Sequence, residues 1–219
     1  YRRHGYLPEA MLNFLGLMGF STEAGKEIFD LDTMVREFSW DRVSTSAPIF
    51  DLAKLEWLNG MYIRSLGVDE LTERLRPFAE EGRLDSTEKT RKMVTIIQER
   101  LKTLAEFDLW TWFFFTDKLQ YDPELLIAKK MTREDTAEAL AASASAFGAV
   151  EDWSTEPLEH LGRGLCEGLG LKVRQLFMTL RVAITGGTKS PPLFESMEIL
   201  GKDTCIRRVE KARALLTAP

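Results

Sequence analysis

Apolar residues recur every three or four positions along most of the chain, which is the spacing of an amphipathic α-helix. The clearest examples run from Leu7 to Leu17, along 51–64 and from Val173 to Ile184. Alternation with a period of two, which is typical of a half-buried strand, never extends beyond a few residues. The pattern predicts an all-α fold made of helical bundles.

Short polar residues stand just before several of these apolar stretches. Asp30 and Asp51 occupy positions where a helix N-cap is expected, and Asp203 opens the last apolar stretch. Thr132 and Asp135 have the spacing of a capping box before an alanine-rich segment. Each of these residues predicts the start of a helix.

A long helix is predicted after Asp85, which stands three residues before Glu88 as in a capping box. When its residues are placed at 100° intervals, Arg100 falls inside the apolar arc. That arc contains Met93, Ile96, Ile97, Leu101, Leu104 and Phe107. A guanidinium in this position is expected to form an internal ion pair, to extend to the edge of the stripe, or to meet the planar edge of a binding partner.

The stretch 180–194 interrupts the helical pattern. Two glycines at 186–187 permit positive φ and end the preceding helix, and two prolines at 191–192 fix an extended backbone before the next one. Arg181, Lys189 and Ser190 are therefore expected beside a rigid turn that can hold a flat partner. An ordinary corner between two helices would show the same local pattern.

Charge is distributed unevenly along the 219 residues, whose formal net charge is −5. From Arg163 to the end there are ten Lys and Arg residues against five acids, so this part is near +5 and the rest near −10. A basic end on an acidic chain favours local phosphate contacts over general coating of nucleic acid. A solvated surface of mixed charge would have the same composition.

Few classes of chemistry are compatible with the remaining composition. Cys166, Cys205 and the two histidines lack the spacing of a metal site, and no phosphate loop or nucleophile elbow is present. We therefore expect no metal and no catalytic residues. The aromatic run at 109–115 is too short to span a membrane and is expected in the core. Two cysteines without an export segment favour the cytoplasm.

Three stretches, in order, resemble bacterial glutamyl-tRNA synthetases. LRVAITGGTKSPPLFE at 180–195 is similar to the anticodon-binding end of that family, with its pattern L-R-V-A-[IL]-T-G-x-x-x-[ST]-P-x-L-F-E. GYLPEA at 5–10, followed by NFL at 13–15, resembles the region after the catalytic signature loop. FDLAKLEWLNGMYIR at 50–64 is similar to the family motif K-L-x-W-[LM]-N-x-x-Y-I-R.

The resemblance implies recognition of glutamate tRNA, through its anticodon loop and stem, for an enzyme that ligates glutamate to this tRNA with ATP. It divides the chain into a stem-contact remnant at 1–68 and helical anticodon-binding subdomains at 69–128 and 129–219. The catalytic signatures are absent and the chain begins without Met. We therefore expect a monomeric fragment that uses no cofactor itself, with ATP bound by an amino-terminal catalytic domain that it contacts.

The resemblance and the residue chemistry together select the candidate RNA contacts. Arg100 corresponds to an arginine that this family uses to read the third anticodon letter. Around the turn, an arginine fork, a hydroxyl and an apolar shelf would meet the other bases, while basic residues of the last predicted helix would meet phosphates. The helix predicted along 51–64 contributes two further polar candidates, Lys54 and Arg64. In chain order, the candidates are Lys54, Arg64, Arg100, Arg181, Lys189, Ser190, Pro191, Leu193, Arg207, Arg208 and Lys211.

Two other interpretations were weighed. KKMTR at 129–133 superficially resembles the K-M-S-K-[SR] loop of class I synthetases, but Thr132 is explained more simply as a helix cap. The net acidity also permits a helical scaffold for protein interactions without any RNA role. The basic face of the last helix could equally serve only to keep the protein soluble.

Overall fold

The computed structural model describes residues 1–22, 25–43 and 49–217, which form α-helices joined by loops and short 3₁₀ turns. The α-helices are α1 (Pro8–Gly19), α2 (Leu31–Glu37), α3 (Leu52–Ser65), α4 (Val68–Leu75), α5 (Glu88–Gln98), α6 (Phe107–Thr111), α7 (Arg133–Gly148), α8 (Thr155–Gly168), α9 (Val173–Thr185), α10 (Leu193–Leu200) and α11 (Lys202–Thr217). Within the described ranges, extended pairing is limited to one isolated bridge between Phe20 and Val43. The predicted all-α fold is confirmed.

Local capping chemistry starts several of these helices where the sequence predicts. The Asp30 carboxylate accepts from the Thr33 amide at 2.8 Å, and the Asp51 carboxylate accepts from the Lys54 amide at 3.1 Å. Thr132 forms a full capping box with the residue three positions later. None of the helices in the described part is both long and apolar enough to cross a membrane.

The chain divides into two compact units, Tyr1–Leu109 and Trp110–Pro219, which we call the first and second units. This division differs from the three predicted segments, because neither 68/69 nor 128/129 separates the units. The three-segment division stays a prediction.

In the first unit, α1 packs against α3. Phe14, Leu55 and Leu58 are buried between them. In the second unit, α11 packs on α7 and α9 around a larger apolar core, while α8 packs on α10. The expectation that the aromatic run at 109–115 lies in the core is only partly confirmed. Phe113 and Phe114 are buried, whereas Trp112 keeps 36% of its surface exposed.

The predicted helix from 88 to Phe107 is wrong in its length. α5 begins after Thr87, whose hydroxyl oxygen accepts from the Thr90 amide at 3.3 Å, and it ends at Gln98. The amide of Arg100 then donates to the Ile97 carbonyl at 2.8 Å in a turn. Arg100 consequently leaves the apolar arc and is exposed.

Gly5 lies where the amino-terminal segment meets the backbone that follows this turn. Its φ is +78°, and a Cβ placed on it would lie 2.4 Å from the Ala105 amide nitrogen and 2.5 Å from that of Leu104. The Leu104 amide donates to the Gly5 carbonyl at 2.9 Å. This approach of two backbones requires glycine both for its φ and for its missing side chain.

Arg208 is a correction to the predicted phosphate-binding face of the last helix. It is 5% exposed and lies on the buried side of α11 with Cys205 and Ala212, at spacings of three and four residues. Its guanidinium donates to the carbonyls of Ile184 at 2.6 Å, Phe113 at 2.8 Å and Thr116 at 2.6 Å. Arg208 therefore ties the end of α9 to the loop after α6 and cannot face RNA in this conformation.

The surroundings of Arg208 are poorly solvated. Burial lowers the pKa of its guanidinium and raises the pKa of Cys205 and of Tyr121 to about 12. The carbonyl oxygens that accept from it include that of Ile184 at the carboxyl end of α9, where the helix dipole favours a positive charge.

Replacing Gly5 by alanine is expected to lower the free energy of unfolding by about 3 kcal/mol, since left-handed strain of about 1–2 kcal/mol adds to a backbone clash. Gly82→Ala is the matched control, because Gly82 has φ +84° but open space around it. Urea unfolding followed by circular dichroism measures both. Equal losses in the two variants would show that the contact with residues 104–105 contributes nothing.

Arg208→Met is expected to lower the free energy of unfolding by at least about 2 kcal/mol, because buried carbonyls lose their donor. Arg208→Lys should recover only part of this loss, since an ammonium lacks the planar fork. Arg213→Met, an exposed arginine on the same helix, should stay within about 0.5 kcal/mol of the unchanged chain. Thermal or urea unfolding provides the comparison, and a stable Arg208→Met variant would mean that other groups satisfy these carbonyls.

Candidate nucleic-acid interface

The turn after α9 has the backbone geometry that the sequence predicts. Gly186 has φ 80° and its amide donates to the Val182 carbonyl at 2.9 Å, which ends the helix. The ring of Trp112 lies against this glycine, 2.8 Å from where a Cβ would stand. No local sequence pattern predicts this contact, because Trp112 and the turn are more than seventy positions apart.

Three predicted contact residues are brought together by the turn itself. Arg181 Nη1 donates to the Pro191 carbonyl at 2.8 Å, to the Ser190 carbonyl at 3.3 Å and, more closely, to the Ser190 hydroxyl oxygen. The Ser190 hydroxyl donates in turn to the Pro191 carbonyl at 2.8 Å. The turn is closed around the guanidinium, so these groups support its shape.

The expected apolar shelf is not on the surface. Leu193 is the first residue of α10 and is 4% exposed within the core of the second unit, and Pro191 is also buried. Ser190, at 5%, is equally enclosed. Burial follows from α10 packing into the core directly after the turn. Contact of these three side chains with RNA stays a prediction and requires the turn to open, whereas Lys189 is already exposed.

The cations predicted on α11 differ in their surroundings. Arg207 is exposed and forms an ion pair with Asp117 at 2.7 Å. Lys211 is exposed, and no hydrogen bond or ion pair of its ammonium group is found among the residues that the structure describes. With Arg208 buried, Lys211 and Arg207 remain as the predicted phosphate contacts of this helix.

Arg100 is exposed on its turn in the first unit, and within the described ranges its guanidinium has no hydrogen-bond or ion-pair partner. The expectation of an internal ion pair is therefore wrong for the described part. The exposed guanidinium retains all five of its donors for a binding partner.

The two candidates on α3 are less available. Lys54 Nζ lies 2.5 Å from a carboxylate oxygen of Glu27 and 4.8 Å from the centre of the Trp57 ring. Arg64 is half-buried, and its Nη2 lies 3.0 Å from the sulfur of Met61. Their roles as RNA contacts stay predictions.

A basic cluster in the second unit was missed. The Gln175 side chain donates to the Lys129 carbonyl at 3.2 Å and accepts from the Lys172 amide at 2.9 Å, so two distant segments meet. Lys130 has a positive φ of 69°, which is uncommon outside glycine. With Arg174, four exposed cations lie on these two segments, and in the described part none of their side chains has an ion-pair partner.

The sequence contains both halves of this cluster, as a Lys-Lys pair and as Lys-x-Arg. The two halves lie close together because Gln175 bonds both segments, and neither half of the sequence by itself predicts this. Elsewhere, the described residues contain no group of three or more His, Cys, Asp or Glu side chains that could hold a metal ion. The four exposed cations around Gln175 offer positive charge and hydrogen-bond donors to a partner.

Comparison with known families gives two matches. Residues 70–213 match the model described as anticodon binding domain, and residues 1–57 match the model described as the catalytic domain of class I tRNA synthetases (E and Q). The second match covers most of the segment that the sequence analysis assigns to a stem-contact remnant.

Individual relatives agree with these models. The glutamate–tRNA ligase of Acidothermus cellulolyticus is 43% identical over 226 residues, which are 100% of this chain and 45% of that protein. That of Dehalococcoides mccartyi is 40% identical over 99% of this chain and 46% of its own length. The chain thus spans less than half the length of the curated relatives it matches.

Solved structures show the same similarity. A glutamate–tRNA ligase from Elizabethkingia meningosepticum, in complex with its amino acid, superposes with a TM-score of 0.87 at 27% identity, over 99% of this chain and 43% of that one. A glutamate–tRNA synthetase from Elizabethkingia anophelis gives 0.79 at 26% identity, over 97% and 41% of the two chains. Because the anticodon-binding model matches most of its length, the chain belongs to the anticodon binding domain family and is similar throughout to the carboxyl-terminal part of bacterial glutamate–tRNA ligases.

Proposed function

We propose that this chain binds glutamate tRNA, through its anticodon and the adjoining stem, as part of a cytoplasmic ligase that joins glutamate to this tRNA with ATP. The observation that carries the proposal is the match of residues 70–213 to an anticodon-binding family. In this proposal ATP binding and acyl transfer belong to other parts of the ligase, and the chain supplies recognition.

The proposed roles follow from the exposure of each side chain. Arg100 reads a base edge, because its planar donors are exposed and unpaired in the described part of the chain. Lys211, Lys189 and Arg207 contact phosphates, which position the RNA without reading its sequence. The turn held by Arg181 provides the backbone groups of a second reading surface.

The basic cluster around Gln175 is a further proposed phosphate contact. It concentrates four exposed cations on a chain whose net charge is negative. The half-exposed Trp112, beside Gly186, supplies an aromatic face of the kind on which unstacked RNA bases rest.

Salt dependence provides the test of RNA binding. We expect binding of labelled glutamate tRNA to weaken steeply with salt, and Arg207→Ala with Lys211→Ala to reduce the slope of log K against log salt by about 1.4–1.8, since two phosphate contacts are lost. The loss should be equal for glutamate and glutamine tRNA. Fluorescence anisotropy between 50 and 300 mM salt, roughly the range where such contacts respond, measures it.

The matched control for this pair is Lys26→Ala with Lys89→Ala, which removes the same charge from exposed lysines of the first unit. If the control pair changed the slope by the same amount, the effect of Arg207→Ala with Lys211→Ala would come from the lost net charge and not from lost phosphate contacts. Binding that ignores salt, or no RNA binding at all, would favour the helical scaffold for protein interactions.

Arg100→Gln is expected to narrow the preference for glutamate tRNA over glutamine tRNA by about 1–3 kcal/mol. Their anticodons share the middle letter and differ at the third, C against G. The pairing edge of C offers two acceptors to an all-donor guanidinium, whereas that of G offers donors beside one carbonyl. Competitive binding of tRNAs that differ at this letter measures the ratio.

Lysine at position 100 should fail to restore the preference, because a point charge lacks the fork. Arg36→Gln, another exposed arginine of the first unit, should leave the ratio unchanged. An unchanged ratio in a folded Arg100→Gln chain would remove Arg100 from base reading.

A further inference from the structure

The backbone on either side of Arg100 is anchored, although Arg100 itself is exposed. Gln98 is buried at the end of α5, and Leu101 is fully buried one residue after Arg100. The amides of Arg100 and Leu101 donate to the same Ile97 carbonyl, at 2.8 and 3.2 Å. The exposed guanidinium therefore projects from a turn whose two ends lie in the core.

A single buried side chain on α3 holds the far end of this turn. Asn59 is 0% exposed, and its Nδ2 donates to the Lys102 carbonyl at 2.6 Å and to the Gly5 carbonyl at 3.4 Å. Its Oδ1 accepts from the Leu7 amide at 2.8 Å. One carboxamide thus joins α3, the end of the Arg100 turn and the segment before α1.

The chemistry of these three partners selects asparagine. Two of them are carbonyl oxygens that need donors, and the third is an N–H group that needs an acceptor. Aspartate would place negative oxygens against both carbonyls, and an apolar residue would leave all three backbone groups unpaired in the core.

α3 also holds the near end of the turn. Gln98 Nε2 donates to the carbonyls of Ile63 at 2.9 Å and Leu66 at 2.8 Å, at the carboxyl end of α3. Gly60 of α3 lies beside the same turn, since a Cβ placed on it would stand 3.4 Å from the Leu101 carbonyl oxygen, in ordinary van der Waals contact. α3 therefore holds the turn on both sides of Arg100. On the far side Asn59 bonds the Lys102 carbonyl, while the Lys102 amide donates to the Glu106 carboxylate at 2.9 Å.

We propose that Asn59 is a positioning residue for the reading of the third anticodon letter. By fixing the Lys102 carbonyl, its carboxamide sets the direction in which Arg100 leaves the backbone. Bidentate base contacts tolerate little displacement, so a loosened turn loses discrimination before it loses affinity. This inference rests on the proposed reading role of Arg100.

Reciprocity gives the proposal a second consequence. If the Asn59 hydrogen bonds improve the reading of the base, then a correctly read base must strengthen those hydrogen bonds. One of them involves Leu7, in the segment that matches the catalytic-domain model. Asn59 itself lies between the two matched regions, after residue 57 and before residue 70.

The first experiment measures the ratio of affinities for two glutamate tRNA transcripts with C or G as the third anticodon letter. The full chain is compared with Asn59→Ser, Arg100→Gln and the double variant. Asn13→Ser is the matched control, because Asn13 is also buried in the first unit and its amide group bonds the Glu27 carbonyl at 2.9 Å and the Phe29 amide at 3.2 Å.

We expect Asn59→Ser to reduce the C-to-G ratio at least about fivefold, the lower end of a lost base contact. The double variant should lose no more than Arg100→Gln alone, and Asn13→Ser should retain the ratio despite reduced stability. A full ratio in Asn59→Ser, with a reduced one in Arg100→Gln, would overturn the positioning role and leave the proposed function intact. An unchanged ratio in Arg100→Gln would overturn the positioning role together with the reading role of Arg100, whereas the absence of tRNA binding by the unchanged chain would overturn the proposed function.

The second experiment needs no substitution and decides the matter if Asn59→Ser does not fold. Hydrogen exchange of backbone amides is followed in the unchanged chain saturated with either transcript. The C transcript should slow exchange of the Leu7 amide, which donates to Asn59 Oδ1, more than the G transcript does. The Phe29 amide, which donates to Asn13 Oδ1, should exchange at the same rate with both transcripts. Equal exchange at Leu7 with both transcripts would overturn the proposal.

Discussion

Backbone groups that become buried at helix ends and in turns must find hydrogen-bond partners inside the protein, and this requirement governs where the polar side chains of this chain lie. Asn59 and Gln98 meet it in the first unit, and Arg181 and Arg208 meet it in the second. An unpaired buried carbonyl costs about 1–3 kcal/mol, so each of these side chains is committed to the fold before any partner binds.

The arginines and lysines differ in whether their charged groups already have a partner inside the protein. The guanidinium of Arg208 donates its hydrogen bonds to buried carbonyl groups, whereas Arg207 and Lys54 form ion pairs at the surface. Surface pairs of this kind contribute little stability and exchange readily for a phosphate partner. Arg100 and Lys211 have neither kind of partner among the residues that the structure describes, so their charged groups stay available to a binding partner.

Features that depend on a few neighbouring residues could be predicted from the sequence. The caps at Asp51 and Thr132 and the glycine end of α9 follow from local chemistry, and all are present. The predicted positions of Arg100 and Arg208 were wrong for a shared reason. Both were placed by helical periodicity alone. α5 ends at Gln98, so Arg100 lies outside the helix. Arg208 lies on the buried face of α11, where its guanidinium donates to carbonyl groups distant in sequence.

The candidate site shows the same limit. The sequence correctly predicts that Arg181 and Ser190 lie beside the turn, but the burial of Leu193 depends on how α10 enters the core. The cluster around Gln175 was missed because its two basic pairs are separated by more than forty positions. Contacts between distant segments carry no periodic signal, so the family, which three sequence motifs indicate, was easier to predict than the positions of single side chains.

A chain with a net charge of −5 can bind a polyanion only where its cations are locally in excess. The side chains that hold the buried carbonyl groups around Arg100 are the neutral carboxamides of Asn59 and Gln98, while the Glu106 carboxylate accepts from the Lys102 amide at 2.9 Å. A carboxylate in place of either carboxamide would pair with the guanidinium or repel the approaching RNA. In both cases the attraction between Arg100 and RNA would be weakened. Neutral hydrogen-bonding groups fix the backbone without neutralising the charge of Arg100. The stability of the turn and the attraction of RNA to Arg100 therefore do not compete.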